Sequence, residues 1–491
     1  MDNQPLKILF VASEATPFAK EGGLADVVGA LPRALKEAGH DVRVVMPRYY
    51  RVDRSRLQAV PGVFSVPLGY AGQHWGRFFE GQLPGSEVPV YFLDHEGFFG
   101  RDSLYQEQGE GYADNDQRFI FFSKGALELC KLIDFAPDVI HAHDWHAAAV
   151  PVLLNSLYRF DPWVGGAASL LTLHNMQHQG NFPKEAMSLL GIDWVHFNHL
   201  ELEAHDRVNL LKGGIYHATL LNTVSRGYAR EIRTPQEGFG LDGVLRDRSA
   251  DLHGILNGVD YEEWNPETDP LIPARFDRRD LSGKALCKAV LQQETGLPVK
   301  PGVPLIGLVG RLMKQKGIDL LAEAMPKLME QDIQMVLLGN GEPWAHFYFG
   351  DMAAQHPEKF ACRIGYDNKL AHRIEAGSDL FLMPSRFEPC GLNQMYSMAY
   401  GTLPIVRACG GLDDSVENFD EATGAGTGFK FQAADASALF DTLGWAVHTY
   451  YNRPEAFARL IDQAMARRFS WQEAASRYEE LYLDALRRRR P

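Results

Sequence analysis

The sequence lacks the features of disulfide-stabilised, membrane-spanning and nucleic-acid-binding proteins. Its 491 residues include only five cysteines, an odd number without a CxxC pair, so neither a disulfide framework nor a cysteine zinc site is indicated. No run approaches the ~20 apolar residues that span a bilayer, and the apolar run at 8–12 lacks the basic start of a signal peptide. The net charge of −14 disfavours nucleic-acid and acidic-membrane partners. We expect a cytoplasmic protein.

Two phosphate-binding signatures are also missing. The chain contains neither the GxGxxG fingerprint of dinucleotide-binding folds nor the GK[ST] of a P-loop, so dinucleotide-dependent and ATPase functions lose support. What is present is an ordinary globular composition, with 45% hydrophobic residues. A chain of this length is expected to form two to four domains, at roughly 100–200 residues each.

Strand and helix patterns alternate along the chain in two separate series. The first begins with an apolar strand at 7–12, a glycine-containing loop and a helix pattern at 26–38; the second begins with a strand at 305–309. This alternation predicts an α/β protein with two Rossmann-like, doubly wound domains facing a deep cleft. We place an N-terminal domain at 1–255, a C-terminal domain at 256–470, and a terminal helix at 471–491 that packs back on the N-terminal domain.

Two strand-to-helix loops have the residues expected of phosphate sites. Lys20 precedes the glycine pair that ends at Gly23, and Arg311 and Lys316 flank the second loop, which ends at Gly317. Glycines allow close backbone approach, and helix N-termini favour anions. Arg311 can contact a diphosphate with two N–H groups and Lys316 can act as a point charge. The structural alternative is a tight strand-to-helix turn at the first loop and a solvated basic turn at the second.

A third loop carries the most specific string in the chain, residues 385–394, after a strand that ends at Met383. Glu388 stands at the carboxyl end of that strand, and Gly391 and Leu392 open the next helix. The N–H groups there suit a phosphate and the carboxylate suits sugar hydroxyls. Three histidines within residues 141–146 suggest metal ligands, but their geometry is lost at a strand end. We predict no metal.

Together these strings resemble the bacterial glycogen synthases and plant starch synthases, a retaining glycosyltransferase family of the two-Rossmann GT-B fold. The resemblance runs from Lys7 to about Tyr482. The motifs that carry it are Lys20–Leu24, His141–His146, His174–Gly180, Leu256–Asp260, Gly310–Gly317 and Glu388–Val406.

The resemblance implies roles for individual residues. The implied catalytic set is Glu388, with a sugar-binding role, Lys316 and Arg311 on the diphosphate, and His174 near the reacting carbon. The implied donor-binding set also includes residues in loops and at the domain hinge, namely Lys20, Gly23, Asp26, Asn257, Tyr366, Gly391 and Leu392. Tyr366 would stack on the nucleobase, its structural alternative being a core or turn tyrosine. Tyr105 and Asp144 fall where acceptor or glucose contacts are expected.

The implied reaction transfers glucose from ADP-glucose to the non-reducing end of an α-1,4-glucan such as glycogen, with retention of configuration and without a cofactor or metal. The oligomeric state is left open. UDP-glucose as donor and a small-sugar acceptor, as in sucrose-phosphate or trehalose-type synthases, remain alternatives. A glucan phosphorylase is disfavoured by chain length and by its need for a pyridoxal-phosphate lysine. The non-enzyme alternative is a sugar-nucleotide-binding protein.

Overall fold

The computed structural model describes residues 4–107 and 109–490 and divides the chain into two compact units. Unit 1 contains the chain up to Val224, Ala229–Gly258 and the segment from Trp471 onward, and unit 2 contains Ser225–Tyr228 and Val259–Ser470. The main change of unit therefore falls at Gly258–Val259, whereas the sequence places it at 255–256.

Unit 1 is built on a ten-stranded sheet with the order β15-β14-β10-β9-β1-β2-β6-β5-β3, and β4 pairs with β5. The seven strands from β15 to β6 in this order are parallel, and β5 runs antiparallel to β6. Its strands are β1 (Lys7–Val11), β2 (Asp41–Pro47), β3 (Gln58–Ala59), β4 (Phe64–Pro67), β5 (Gln73–Gln82), β6 (Pro89–Asp94), β9 (Val139–His143), β10 (Ala168–Leu173), β14 (Leu220–Thr223) and β15 (Leu252–Gly254). Small separate sheets are formed by β7 (Gln106–Glu107) with β8 (Glu110–Gly111), and by β11 (Asn181–Pro183), β13 (Arg207–Asn209) and β12 (Glu203–Ala204).

Helices connect these strands, as expected for a parallel sheet. They are α1 (Gly23–Glu37), α2 (Glu96–Phe99), α3 (Asn115–Leu132), α4 (Asp144–Ala147), α5 (Ala149–Asn155), α6 (Ala186–Leu190), α7 (Leu210–His217), α8 (Arg226–Glu231) and α9 (Asp242–Asp247). In α1 the buried side chains recur at helical spacing, among them Leu24, Val28, Leu31 and Leu35, which is the pattern of a helix with one face on a core. The helix α1 continues through Pro32.

Unit 2 contains a six-stranded, fully parallel sheet with the order β18-β17-β16-β19-β20-β21. Its strands are β16 (Leu305–Leu312), β17 (Gln334–Gly341), β18 (Phe360–Ile364), β19 (Leu380–Met383), β20 (Leu403–Arg407) and β21 (Phe429–Phe431). Its helices are α10 (Ser282–Glu294), α11 (Ile318–Leu328), α12 (Pro343–Gln355), α13 (Asn368–Gly377), α14 (Asn393–Ala399), α15 (Gly410–Ser415), α16 (Ala436–Asn452) and α17 (Pro454–Ala466). The strand β16 is longer than the predicted 305–309 and includes Arg311. A 3₁₀ turn, Lys314–Lys316, follows it.

The region 183–211, which its polar sequence marks as helix-prone, is mostly not helical. It contains the short helix α6, the 3₁₀ turn Trp194–His196 and the strands β12 and β13. Polar side chains there bond to nearby backbone instead: Asp193 accepts from the N–H of Val195, and Asn198 accepts from the N–H of Leu200. Such local bonds stabilise turns in competition with helix.

The last helix, α18 (Trp471–Arg489), belongs to unit 1. Tyr482 lies fully buried, and its hydroxyl is 2.8 Å from Nδ1 of His141 on β9. The other ring nitrogen of His141 is 2.7 Å from the hydroxyl of Thr172 on β10. His141 is therefore a core residue that links the last helix to the sheet, and its hydrogen bonds leave it no role as a metal ligand.

Tyr482→Phe tests the strength of this link. The change removes the hydroxyl partner of a buried ring nitrogen, and an unsatisfied buried polar group costs about 1–3 kcal/mol. We expect the thermal midpoint of unit 1 to fall, measured by differential scanning calorimetry. Tyr50→Phe is the control, because Tyr50 is 66% exposed. Equal midpoints for the two variants would show that the His141 contact is energetically neutral.

The arginine run at the C-terminus is not the solvated, frayed tail that its composition suggests. Arg488 pairs with Asp251, Arg489 donates to Asn155 at 2.7 Å, and Arg490 pairs with Asp138 at 3.0 Å. These contacts lie within unit 1 and fasten the end of α18. Across the described residues, no helix is long and apolar enough to cross a membrane.

Candidate functional site

The unit 1 candidates follow three neighbouring parallel strands. In the sheet, β1 lies beside β9 and β9 lies beside β10. The loop that carries Lys20 follows β1, Asp144 follows β9, and His174 follows β10. Ligands of open α/β sheets bind at the carboxyl ends of the strands, so the topology places all three at one edge.

Sequence reasoning missed Glu14, which shapes the Lys20–Leu24 loop. Its carboxylate is buried and accepts hydrogen bonds from the N–H of Glu21 at 2.5 Å and of Gly22 at 3.1 Å. The hydroxyl of Tyr105 donates to it at 2.5 Å. Burial raises the pKa of Glu14, and these hydrogen bonds oppose the rise. The available signal was an acidic residue three positions after the end of the apolar strand β1.

The Lys20 side chain is about half exposed, and its ammonium is 2.6 Å from the carboxylate of Asp26. Asp26 stands in the first turn of α1, where a negative charge is favourable. Gly23 is the first residue of that helix. The loop thus offers a cation beside a helix N-terminus, with Asp26 holding the lysine in place.

His174 lies among other histidines and next to an acid. Its Nε2 is 3.0 Å from Nδ1 of His143, and its backbone N–H donates to Asp144 at 2.7 Å. Burial lowers the pKa of His174 to about 3, so the ring is neutral at pH 7. Burial also raises the pKa of Asp144 to about 7, although the N–H groups of His174 and Asn175 lower it. Both groups are therefore suited to hydrogen bonding rather than to fixed charge.

The two remaining candidates of unit 1 are Tyr105 and Asn257. The Tyr105 ring stacks on His146 with centroids 4.4 Å apart, and its hydroxyl also contacts Ser13 at 2.7 Å. Asn257 is buried, and its Oδ1 has no hydrogen-bond partner within the described chain. Tyr105 is therefore joined to the loop after β1 through Glu14, and Asn257 keeps an acceptor available.

In unit 2, the strands β16 and β19 are adjacent and parallel. Lys316 follows the first and Glu388 follows the second, and their side chains meet: the ammonium is 2.5 Å from Oε2 of Glu388. The hydroxyl of Ser385 donates to the same oxygen at 3.0 Å. Glu388 is nearly buried and Lys316 is 26% exposed. An ammonium has three donors, so Lys316 keeps two for another partner.

Arg311 and Tyr366 lie nearer the solvent. The Arg311 side chain is exposed and makes no hydrogen bond or ion pair with any described residue. Tyr366 follows β18 and is 91% exposed, which excludes the core alternative for this ring. A guanidinium and an aromatic ring are thus available at the carboxyl end of this sheet.

The turn after Glu388 requires glycine. Gly391 has φ of +68°, and an added Cβ would lie 2.6 Å from Oε1 of Gln394. Leu392 precedes the first turn of α14. Gly317 is constrained in the same way, because its φ is +70° and an added Cβ would clash with the carbonyl oxygen of Pro384. Both loops therefore keep their backbone N–H groups at the carboxyl ends of β16 and β19.

Comparisons with known proteins match this arrangement of units. Residues 7–247 match the family described as starch synthase catalytic domain, and residues 292–478 match glycosyl transferases group 1. Glycogen synthase 1 of Geobacter sulfurreducens is 66% identical over 486 residues, which cover 99% of this chain and 97% of that protein. The chain belongs to the glycogen and starch synthase family. It is a glycosyltransferase.

Other members show how widely the family resemblance extends. The glycogen synthase of Treponema denticola is 46% identical over 490 residues, covering 99% of both chains. The catalytic domain of starch synthase IV from Arabidopsis thaliana, solved bound to ADP and acarbose, is 36% identical with a TM-score of 0.89 and covers 99% of this chain and all of that one. A sucrose-phosphate synthase from Thermosynechococcus elongatus, at 17% identity and a TM-score of 0.59, shares the fold alone. The predicted family and two-domain α/β fold are confirmed.

Proposed function

We propose that the chain transfers glucose from ADP-glucose to the non-reducing end of an α-1,4-glucan, glycogen, with retention of configuration. The observation that carries the proposal is the Lys316–Glu388 pair at the ends of adjacent strands, with Arg311 exposed on β16. The full-length similarity to glycogen synthases and the ADP in the starch synthase IV structure support the choice of donor and acceptor.

Unit 2 would hold the departing nucleoside diphosphate. Two N–H donors of Lys316 remain available after its bond to Glu388, and Arg311 can contact phosphate oxygens with two parallel N–H groups. The N–H groups at Gly391 and Leu392 add donors without charge. These groups would stabilise the negative charge that develops on the leaving oxygen. Such electrostatic stabilisation is usually the largest single contribution to enzyme catalysis.

The surroundings of Glu388 support a front-face route over double displacement. Double displacement pairs a nucleophilic carboxylate with a second carboxyl group that acts as acid and base, whereas the groups that contact Glu388 here are the ammonium of Lys316 and the hydroxyl of Ser385. In the front-face route, an oxygen of the leaving diphosphate takes the acceptor proton, and catalysis consists of positioning and charge stabilisation. Lys316 and Arg311 supply the positive charge, and we propose that the reaction needs no metal.

Unit 1 would position the sugar. His174 is neutral, Asp144 has its pKa raised to about 7, and Tyr105 is fixed by Glu14. Neutral donors and acceptors suit sugar hydroxyls, since they bind without requiring a counter-charge. Lys20, Gly23 and Asp26 form the loop beside them, where a cation and a helix N-terminus favour a phosphate. The buried Oδ1 of Asn257, next to the end of the unit 1 segment Ala229–Gly258, remains available as a hydrogen-bond acceptor.

The decisive experiment compares donors and acceptors. Purified protein is assayed with ADP-glucose and with UDP-glucose, each with glycogen, fructose or glucose phosphate, after treatment with a chelator. We expect release of ADP that depends on glycogen, and incorporated glucose that an α-1,4-specific glucosidase removes. A higher kcat/KM with UDP-glucose or with a small sugar would establish an alternative substrate, and absence of nucleotide release would favour a binding protein.

Tyr366→Ala tests the nucleobase contact. Stacking of a base on an aromatic ring is worth about 1–3 kcal/mol, so we expect the KM for ADP-glucose to rise roughly 5- to 150-fold with little change in kcat. Tyr366→Phe retains the ring and should keep a KM near that of the wild type. If both variants bind the donor like the wild type, the exposed ring does not contact the base.

A further inference from the structure

A group of histidines and an acid lies apart from the proposed transferase site. Among the described residues, His196, Glu201 and His217 bring three possible metal-ligand atoms within 4.8 Å of one another. His196 ends the 3₁₀ turn that begins at Trp194, and His217 ends α7. Because β14 begins at Leu220, three residues after His217, the group lies at the amino edge of the unit 1 sheet. His174 lies at the opposite, carboxyl edge.

Two histidine nitrogens converge on one carboxylate oxygen. Oε2 of Glu201 is 2.7 Å from Nδ1 of His196 and 2.8 Å from Nε2 of His217. A zinc ion with ligand bonds of about 2.0–2.2 Å at tetrahedral angles holds its donors roughly 3.3–3.5 Å apart. Each histidine nitrogen therefore needs to move away from the Glu201 oxygen by about 0.5–0.8 Å to admit the ion.

Surrounding hydrogen bonds hold two of the three ligands. The amide of Asn198 donates to Oε1 of Glu201 at 3.1 Å and leaves Oε2 to the histidines. The amide of Asn155 donates to the backbone carbonyl of His217 at 2.7 Å, which fixes the end of α7. Such outer hydrogen bonds orient the ligands of metal sites.

Charges of both signs lie around the group. The carboxylate of Glu201 belongs to it, and the ammonium of Lys212 donates to the nearby carbonyls of His199 and Glu203. A carboxylate contributes one negative charge, and the C-terminal end of α7 adds a partial negative charge. Arg248 opposes a cation, because its guanidinium donates to the carbonyls of Ile215 and Tyr216, but it is itself paired with Asp251 at 2.7 Å. The side chains of His196 and Glu201 are 22% and 14% exposed, so a fourth ligand position can face water.

We propose that His196, Glu201 and His217 bind a zinc ion that fastens the segment 194–201 to the C-terminal end of α7. Two imidazole nitrogens and one carboxylate oxygen are a donor set that zinc prefers, with water completing a tetrahedron. The ion is structural: it lies at the edge of the sheet opposite His174, and the proposed transfer reaction does not use it. The proposal is therefore independent of the choice of sugar donor.

The test measures zinc uptake by the full-length protein. Chelator-treated wild type is dialysed against zinc chloride, and bound metal is measured by mass spectrometry. We expect one tightly bound zinc per chain, and at least ~10-fold weaker binding by His196→Gln, since loss of even an outer partner costs about 10–100-fold. His199→Gln is the matched control, because His199 is an exposed histidine in the same segment. Its zinc affinity should equal that of the wild type.

Cobalt provides a readout that needs no variant. Co²⁺ added to the chelator-treated wild type should give the visible absorption of a tetrahedral site, and zinc should remove it. Equal zinc binding by His196→Gln and the wild type would overturn the proposal. So would the absence of tetrahedral cobalt bands in the wild type.

Discussion

Replacing Lys316 with alanine will lower turnover with ADP-glucose and glycogen roughly 10²–10³-fold, as expected for loss of one group that stabilises transition-state charge. The ammonium is 2.5 Å from Glu388, and it is the partly exposed member of that pair. Its remaining N–H groups are therefore the ones available to the leaving diphosphate. The measurement is steady-state release of ADP, with kcat and KM determined separately.

Lys314→Ala is the matched control for this prediction. Lys314 stands in the same 3₁₀ turn and is exposed. We expect the turnover of the Lys314→Ala variant to stay within about twofold of the wild type, because an exposed charge away from the reacting atoms contributes little. A comparable loss in both variants would point to a general effect of the basic turn.

A double variant separates the two functions that Lys316 can have. The reference is the Glu388→Gln single variant, because Glu388 itself belongs to the proposed site. If Lys316 only neutralises Glu388, adding Lys316→Ala to Glu388→Gln should not slow turnover further. If Lys316 contacts the diphosphate, the double variant should be slower than Glu388→Gln alone. Turnover near that of the wild type in the Lys316→Ala single variant would remove Lys316 from the site.

Replacing Asp269 with asparagine will destabilise unit 2 by about 3–5 kcal/mol, the usual cost of breaking a buried ion pair by removal of one partner. Asp269 and His372 are both buried, and the carboxylate is 2.7 Å from Nδ1 of the imidazole. Tyr400 donates to the same carboxylate at 2.6 Å. The ring of Trp264 stacks on His372 with centroids 3.9 Å apart, which also favours the cationic form.

The pH dependence follows from the pKa of His372. Burial lowers this pKa, but the hydrogen bond and charge of Asp269, together with Glu263, outweigh burial and raise it from 6.5 to about 9. The protonated ring therefore stabilises the folded state fully below pH ~6.5, and this contribution is lost as the pH rises through ~9. We expect the unfolding midpoint of unit 2 to fall over that window in the wild type.

The Asp269→Asn variant should lack most of this decline, because its His372 has lost the partner that raised the pKa. Calorimetry at a series of pH values between 6 and 10 measures both effects. Glu267→Gln is the control, since Glu267 is exposed and close in sequence. A pH profile for Asp269→Asn that is parallel to that of the wild type would show that His372 is not charged in the folded protein.

Much of the fold follows from local pattern. Strands β1 and β16 are compact apolar runs, and each is followed by a loop with glycine and lysine and then by a helix with one apolar face. Each of these features can be read within one strand-loop-helix unit, because the spacing of apolar residues in a strand or helix repeats over only a few positions. The same reasoning located the three candidate loops and the terminal helix.

Local pattern could not supply the partners of the candidate residues. Lys316 and Glu388 are 72 residues apart along the chain, and Tyr105 and Glu14 are 91 apart. Each of these two pairs meets only through a side-chain contact in the folded chain. In the polar region 183–211, the side chains of Asp193 and Asn198 accept hydrogen bonds from nearby backbone N–H groups, and these bonds stabilise turns in place of helix. Glu14 itself carried no motif that marked it.

By itself, the sequence determined the two β–α series, the family and the loops that carry the candidate residues, since each rests on neighbouring residues. Only the tertiary structure decided that β16 lies beside β19, that α18 returns to His141 across 341 residues, and that the histidines at 196 and 217 meet at Glu201. The physical reason is that strand order and helix docking depend on the total apolar surface that the whole core buries. That sum brings together side chains whose spacing along the chain carries no information about their distance.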